Sequence, residues 1–495
     1  MLLHELLELN AREVPGKTAM VSETGRMTYA EFDGRSSRIA ALMVSSGVAR
    51  GEPVALLLPP TMDWPVAYFA ALKAGARAVI LNGMLKPAEL LAQLVESRAR
   101  TIITEARFAA AIRQMVPAGT PMPRLLVLDS PDFEAALAAA PADRPGVPMS
   151  EDDECTIIYT SGVLGMQKGV VHTHRSLMSV FDAAAPRIED NREDVLFGMI
   201  PFYHVLGLVV SFGAFFCGAT LVLPRRFVPR AVLETVAAEK VTNLIGVPAM
   251  FMALLQVSDE VVKSLDLSSL YKILTAGAKS LPQAMSAFEK KYGVVVTEIY
   301  GTTECPIITM GSTRDRKLGT AGLPVLDFKV VDESGREVPR GETGEALCRG
   351  ANVMRGYYRE PELTALVLKD GWFHTGDLVT QDADGYVTYV EKKSFLIVTA
   401  AGTKIAPTEV EYVVLTHPAV AEAAYVGIKD ESGAQVPTLF VVLKPGQEVS
   451  KPELRAFCGR TVADFKLPQR IEFLTELPKI ASGKVDRRAL MQAAA

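Results

Sequence analysis

The first hundred residues alternate short apolar runs with helical spacing. Residues 53–58 (PVALLL) predict a buried strand, 64–74 (WPVAYFAALKA) a helix, 78–81 (AVIL) a strand, 86–98 a helix and 101–103 a strand. Strands alternating with helices predict parallel sheets covered on both faces. At the N-terminus, Leu2, Leu3, Leu6 and Leu7 suit a packed helix, without the basic flank of a signal peptide. Residues 114–154 are rich in Ala, Pro and Asp and predict an irregular or weakly helical connection. Near Gly319 the texture changes. Residues 329–331, 345–348 and 385–390 are short β-like runs separated by turn residues, which predicts a small antiparallel β unit. Beyond Glu391, helical spacing at 407–415, 451–460 and 487–493 combines with strands near 421–426 and 438–443. That pattern predicts a small α+β domain over 392–495, after a large N-terminal domain over 1–391.

Residues 205–223 carry no charge, and a stretch of about that length can span a bilayer. Three glycines, Ser211 and Thr220 interrupt it, so a buried helix running into a buried strand is the expected structure.

Composition narrows the function classes. The 495 residues are 49% hydrophobic and 22% charged, as in a folded chain, and at ~150 residues per domain they amount to about three domains. With 52 basic and 57 acidic side chains the net charge is −5, which gives no bulk reason to bind nucleic acid. The five cysteines are scattered, with no CxxC pair, which disfavours a disulfide framework or a zinc site and suits a reducing, cytoplasmic setting.

Four segments carry candidate chemistry. Residues 157–171 (IIYTSGVLGMQKGVV) place Thr160, Ser161, Gly162, Gly165, Lys168 and Gly169 between two β-rich runs. Glycines let backbone N–H groups wrap an anion, hydroxyls donate to it, and the lysine adds charge. The spacing is not G-x-x-x-x-G-K-[ST], and taken alone the segment is equally a glycine turn between strands. Residues 298–304 (EIYGTTE) offer Thr302 and Thr303 to phosphate and Glu304 to Mg²⁺, which needs few carboxylates. Residues 371–378 (GWFHTGDL) set Asp377 on what reads as a tight turn, where a carboxylate suits two ribose hydroxyls. Residues 478–488 (PKIASGKVDRR) hold a glycine-flanked Lys484, which alone reads as a solvated tail.

In this order, together with 201–204 (PFYH), 247–250 (VPAM), 275–282 (TAGAKSLP) and 341–356 (GETGEALCRGANVMRG), these segments resemble the adenylate-forming superfamily. That superfamily comprises acyl-CoA synthetases, firefly-type luciferases and peptide-synthetase adenylation domains. The resemblance spans essentially the whole chain and is greatest to the fatty-acyl and 4-coumarate branch. It implies an α/β fold: two parallel-type α/β subdomains with a small β-barrel-like unit, then a small mobile α+β C-terminal domain. It implies ATP, Mg²⁺ and coenzyme A, and a two-step conversion of a carboxylic acid to acyl-AMP and then to a thioester. It further implies that Lys168 and its loop, with Thr160 and Ser161, hold the β/γ-phosphates. Thr303 would touch the α-phosphate and Glu304 the Mg²⁺. Gly277, Ala278 and Tyr300, with Gly301 and Thr302 beside them, would frame the nucleotide, and Asp377 would bind the ribose. Lys484 would meet the carboxylate and α-phosphate, His204 would gate the acyl pocket, and Gly402 would line the pantetheine path.

The sequence departs from the superfamily pattern twice. The phosphate loop usually reads S-G-T-T-G-x-P-K-G, but Val163, Leu164 and Gln167 stand where two hydroxyls and the proline are expected. Hydrogen bonds to charged groups are worth about 1.5–3 kcal/mol each, so ATP handling is expected to weaken. At the interdomain hinge, Gly-Arg-x-Lys-Asp/Glu is replaced by residues 390–395, VEKKSF. Aligned without gaps, the ribose-binding arginine becomes Lys392 and the hinge acid Phe395; with one gap they become Glu391 and Ser394. The substrate expected is a medium or long fatty acid, then an aryl acid. Residues 201–206 offer no carboxylate for an α-ammonium group, and no basic residue follows Glu304 until Arg314. Eleven residues follow Lys484, so the thiol acceptor is expected from outside, as coenzyme A or a separate carrier protein. The alternatives are a fatty-acyl-AMP ligase that loads a carrier protein, and a member impaired in adenylation that binds acyl-adenylate. A homodimer stays open.

Overall fold

The computed structural model describes residues 1–116, 121–161, 167–398, 404–430, 435–480 and 484–493, and every count below refers to these. The chain divides into two compact units. One comprises Met1–Phe328, Cys348–Phe373 and Gly385–Val387; the other comprises Lys329–Leu347, His374–Asp384 and Thr388–Ala495. The second unit therefore includes two separate segments, and the start of a third, that precede residue 392.

The first unit holds two mixed sheets. One, of seven strands among the described residues, runs in the order Gly356–Tyr357, Gln167–Thr173, Glu154–Ser161, Arg77–Ile80, Pro53–Leu57, Thr101–Thr104 and Arg124–Val127. Its interior is parallel, as the alternating pattern predicts: Pro53–Leu57 lies between Arg77–Ile80 and Thr101–Thr104 and is buried at every position. Burying one such Val or Leu side chain stabilises by ~1.5–3 kcal/mol. One edge departs from that expectation. Gln167–Thr173 folds back antiparallel on Glu154–Ser161, and Gly356–Tyr357 adds antiparallel to it.

The other sheet has nine strands, again among the described residues. At its centre Asn243–Gly246, Lys272–Ala276 and Val295–Tyr300 run parallel, and their C-terminal ends lead into the start of helix Pro248–Leu255 and into loops 277–281 and 301–308. Crevices at such strand ends are the usual ligand sites of open α/β sheets.

The uncharged stretch is a helix, Val205–Cys217, followed by a buried strand, Thr220–Leu223. The helix stops at Gly218, whose φ of +71° is a left-handed cap. At 1.5 Å per residue its 13 residues span ~20 Å. No helix among the described residues is long and apolar enough to cross a membrane. Phe212 and Phe215 bury it in an aromatic cluster: Phe69 lies 5.4 Å from Phe212, and Phe32 lies 5.2 Å from Phe215, between ring centroids.

Two sequence expectations need correction. Residues 114–154 are more regular than their composition suggests. Arg124–Val127 is a strand that closes the edge of the seven-stranded sheet, and Pro131–Ala139 is a helix capped by the Ser130 hydroxyl. Three apolar residues, Leu125 to Val127, are enough because the neighbouring strand supplies the ladder. Asp377 is not on a turn. It lies inside the ten-residue strand Trp372–Gln381. Strand pairing overrides the turn signal of Gly371 and Gly376, the latter adopting φ +67° within the strand.

In the second unit, Val420–Lys429 and Gln435–Leu443 pair antiparallel, and Arg470–Phe473 adds parallel to the latter. Helices Pro407–Leu415, Lys451–Cys458 and Arg487–Ala493 match the helical spacing. The cysteines are all free, and four of the five are buried.

Candidate active site

The strands that flank the candidate phosphate loop, Glu154–Ser161 and Gln167–Thr173, pair antiparallel. Their register sets Thr160 opposite Lys168 and Tyr159 opposite Gly169. Gly162, Val163, Leu164 and Gly165 lie outside the described residues, as does Gly402, and the side chains of Ser161 and Gln167 are likewise not described. Gly169 has a packing reason to be glycine: a Cβ there would stand 3.0 Å from Ile157 and 3.3 Å from Tyr358. The Lys168 ammonium lies 4.9 Å from the centroid of the Tyr357 ring.

Loop 301–308 follows strand Val295–Tyr300, whose last residue, Tyr300, is buried. A Cβ on Gly301 would stand 2.1 Å from the Pro306 carbonyl oxygen, so the loop folds back too tightly for any side chain there. The Thr302 hydroxyl accepts the Cys305 N–H at 3.2 Å, and the Thr302 N–H donates to the Cys305 carbonyl at 2.9 Å. Three distant groups then fix the loop. The His172 Nε2 bonds the Thr303 carbonyl at 2.8 Å, the Asn352 amide donates to the Ile307 carbonyl at 2.8 Å, and the Met354 N–H donates to the Glu304 carbonyl at 2.7 Å. Burial lowers the His172 pKa to about 4, so the ring is neutral and donates from Nε2 to the carbonyl. The Tyr357 hydroxyl donates to Glu304 Oε1 at 2.7 Å. Lys168 and Glu304, 136 positions apart in the sequence, thus meet on one tyrosine.

His204 is the N-cap residue of helix Val205–Cys217 and sits 4.8 Å from the Tyr203 ring. Two neighbours hold it there. Phe202 stacks on Trp64 at 4.7 Å, and a Cβ on Gly207 would come within 2.2 Å of the Pro201 carbonyl oxygen, so helix and loop touch backbone to backbone. Gly277, with φ +82°, and Ala278 are exposed at the end of strand Lys272–Ala276. A Cβ on Gly277 would lie 3.6 Å from both Leu206 and Val247, which makes the wall facing it apolar. Met199 and Ile307 are buried, whereas Ala278 is exposed.

In the second unit, the buried Asp377 takes its own N–H bond to the Thr375 hydroxyl at 3.0 Å and receives the Lys392 ammonium at 2.9 Å. Strand alternation turns Glu391 to the opposite face. There its carboxylate accepts the Thr408 N–H at 3.1 Å and the Lys392 N–H at 2.9 Å. Lys392, not Glu391, is therefore the side chain that meets Asp377. Phe395 lies under the Arg487 guanidinium, 5.5 Å from the ring centroid. Lys484 keeps solvent-accessible surface, yet the protein packed around its ammonium lowers its pKa by lost hydration. Asp377 raises that pKa and Lys392 lowers it.

Sequence reading missed His172, Asn352 and Tyr357. His172 and Tyr357 each stand one residue beyond a motif segment, 157–171 and 341–356, and each serves a loop more than fifty residues away in sequence.

Among the described residues no group of three His, Cys, Asp or Glu side chains could hold a metal ion. Glu304, with the hydroxyls of Thr302 and Thr303 near it in sequence, is a poor set for zinc. It suits Mg²⁺, which keeps several waters and phosphate oxygens and takes one or two carboxylates.

A model for AMP-binding enzymes matches residues 7–358, and one for the C-terminal domain of AMP-binding enzymes matches residues 409–484. A feruloyl-CoA synthase from an Amycolatopsis species is 34% identical over 490 residues, which is 96% of this chain and 95% of that protein. A long-chain-fatty-acid–CoA ligase of Yersinia pestis is 31% identical over 531 residues, covering 99% of this chain and 93% of the ligase. The crystal structure of an anthranilate CoA ligase in complex with anthranoyl-AMP aligns with a TM-score of 0.92 at 29% identity, over 100% of this chain and 97% of that one.

Proposed function

The chain belongs to the AMP-binding, adenylate-forming enzyme family, and on that premise we propose a substrate and a set of residue roles for it. It is an AMP-forming acyl-CoA synthetase: ATP and a carboxylic acid give acyl-AMP and pyrophosphate, and coenzyme A then takes the acyl group. The meeting of Lys168 and Glu304 on Tyr357 carries the residue assignment, because it joins a cation and a carboxylate from two separate motifs at one place.

In the first step a carboxylate oxygen attacks the α-phosphorus, and the bond to pyrophosphate breaks. Both reactants are anions, so catalysis is positioning and charge neutralisation. Lys168, with Thr160 and Ser161, holds the β/γ-phosphates and stabilises the leaving pyrophosphate. Thr303 donates to the α-phosphate. Asp377 accepts the ribose hydroxyls, with Lys392 beside it as a single-point cation in place of a forked guanidinium. Lys484 stabilises charge on the α-phosphate and the carboxylate. Glu304, with Thr302 and Thr303, would hold Mg²⁺, which supplies charge neutralisation at the phosphates when bound. In the second step the thiolate attacks the acyl carbon and AMP leaves. The hinge lies near residues 391–395, and the C-terminal domain from residue 392 moves between the steps.

The substrate is an apolar carboxylic acid without an α-amino group, a medium or long fatty acid or an aryl acid. The apolar wall of Leu206 and Val247 opposite Gly277 supports this, as does the absence of a carboxylate from residues 201–206. Relatives named for ferulate and for long-chain fatty acids stand on either side of that choice. The acceptor is coenzyme A and the setting the cytoplasm. The test is ATP–pyrophosphate exchange over a panel of acids, where fatty and aryl acids are expected to exceed acetate and malonate in kcat/KM by more than tenfold. A large preference for acetate or malonate refutes the assignment. No exchange with any acid, while synthetic acyl-adenylates are still turned over with coenzyme A, favours the impaired member instead.

Restoring the loop hydroxyls tests the departure itself. The double change Val163→Thr/Leu164→Thr is expected to lower the KM for ATP by about tenfold or more, from one or two added hydrogen bonds to a charged group. An unchanged KM would show that backbone and Lys168 suffice.

A further inference from the structure

We propose that Tyr357 is a positioning residue that keeps the phosphate-binding cation and the metal-holding carboxylate apart and each ready for its ligand. The inference rests on the roles assigned above to Lys168 and Glu304.

The geometry starts from the strand register. Gly356–Tyr357 pairs antiparallel with Gln167–Thr173, setting Tyr357 opposite Val170. Lys168 is two residues before Val170 and projects from the same face, so it is the diagonal neighbour of Tyr357. Tyr357 is 8% exposed and anchored at three points. Its N–H donates to the Thr364 hydroxyl at 2.9 Å, the following residue's N–H donates to the Gly169 carbonyl at 2.7 Å, and its hydroxyl donates to Glu304 Oε1 at 2.7 Å. Its neighbour Gly356 is packed closely against the same threonine, since a Cβ there would stand 2.8 Å from the Thr364 side chain.

One phenol therefore serves opposite charges at two ends. The ring face receives the Lys168 ammonium, and the hydroxyl receives a Glu304 oxygen. Among the described residues Lys168 forms no ion pair, and the second Glu304 oxygen carries no hydrogen bond. Opposite charges drawn to one side chain also attract each other, and a direct ion pair would neutralise both the phosphate-binding charge and the metal-binding one. The ring holds them apart. Its quadrupole attracts the ammonium without giving it a counter-ion, and its hydroxyl fixes one carboxylate oxygen and leaves the other available.

The experiment measures ATP binding to the full chain by calorimetry, in EDTA and in Mg²⁺, alongside the melting temperature of each variant. Tyr357→Phe keeps the ring and removes the hydroxyl. It is expected to bind ATP in EDTA within twofold of wild type and to bind Mg²⁺·ATP about tenfold more weakly. Tyr357→Leu removes both elements and frees Lys168 to pair with Glu304. It is expected to weaken binding in EDTA as well, by about 2- to 30-fold. Adding Glu304→Gln to Tyr357→Leu removes that pairing, and binding in EDTA should return to within twofold of Glu304→Gln alone, a rescue that a packing role would not give. If Tyr357→Leu does not fold, Tyr357→Phe still decides: equal binding to wild type in both conditions refutes the proposal. Identical behaviour of the two variants, or no rescue, refutes it too. A wild type that binds no ATP under either condition refutes the underlying site assignment, a distinguishable result.

Discussion

Replacement of Lys484 by alanine is expected to abolish adenylation selectively. ATP–pyrophosphate exchange should fall by ~10²–10³, the usual cost of removing one preorganised donor from a developing negative charge. Turnover of a synthetic acyl-adenylate with coenzyme A should stay within about threefold of wild type, because that step does not build charge on pyrophosphate. Exchange within threefold of wild type would remove Lys484 from the mechanism. The charge state adds a second check. Burial lowers the Lys484 pKa, Asp377 raises it and Lys392 lowers it. Only the ammonium form stabilises the anions, so the exchange rate should fall as pH rises through this lowered pKa, before an ordinary lysine would titrate. Lys392→Met removes a like charge, and the alkaline limb should move to higher pH. A limb that moves down, or does not move, contradicts the arrangement.

The second large effect is on stability. Arg487 holds the C-terminal α+β fold at several points. Its guanidinium donates to Glu411 at 2.8 Å and to the Tyr425 carbonyl at 2.8 Å, lies 3.9 Å from Glu391, and covers the Phe395 ring. Glu411 is 8% exposed and also accepts the Tyr425 N–H at 2.5 Å. Burial raises its pKa and Arg487 opposes that rise. Arg487→Ala leaves this carboxylate buried without its cation, which costs about 3–5 kcal/mol. Urea unfolding followed by far-ultraviolet circular dichroism should show the loss. Adding Glu411→Gln should recover much of it, since a neutral amide carries no uncompensated charge.

The sign with pH follows from the direction of the shift. In Arg487→Ala the folded pKa of Glu411 stands further above its unfolded value. The protonated form is then the comfortable one, and stability is lost as pH rises through the folded pKa. The gap between variant and wild type should be smaller at pH 5 than at pH 8. A gap that widens on acidification would contradict the buried-pair account.

Much of the fold was legible because its elements announce themselves locally. The apolar run 53–58 read as a buried strand, which forms at Pro53–Leu57, and residues 205–223, broken by glycines, read correctly as a helix and a strand. Lys168, Glu304 and Asp377 drew attention for the same reason, the glycines and hydroxyls clustered around each, whereas Lys484 was singled out only by the resemblance of the whole motif order. What escaped is what acts from a distance. His172 and Tyr357 stand one position past the segments that drew attention, and no local pattern tells a β-strand histidine or tyrosine that its partner lies 131 or 53 residues away.

The segment that the resemblance marks as a hinge shows the same division. Residues 390–395 by themselves allowed Lys392 or Glu391 to stand where an arginine is expected. Adjacent side chains of a strand face opposite ways, so a shift of one residue exchanges every contact. Pairing within the sheet sets that register, turning Lys392 to Asp377 and Glu391 to Thr408. The sequence by itself carried the resemblance to the family through the order of its motifs, and the reaction came with that resemblance; residue type and spacing alone reached an α/β nucleotide-binding chain with a small second domain. Only the tertiary structure decided which side of a strand each charge faces and which tyrosine stands between Lys168 and Glu304, because register and cross-strand neighbours are set by hydrogen bonding between segments far apart in the chain.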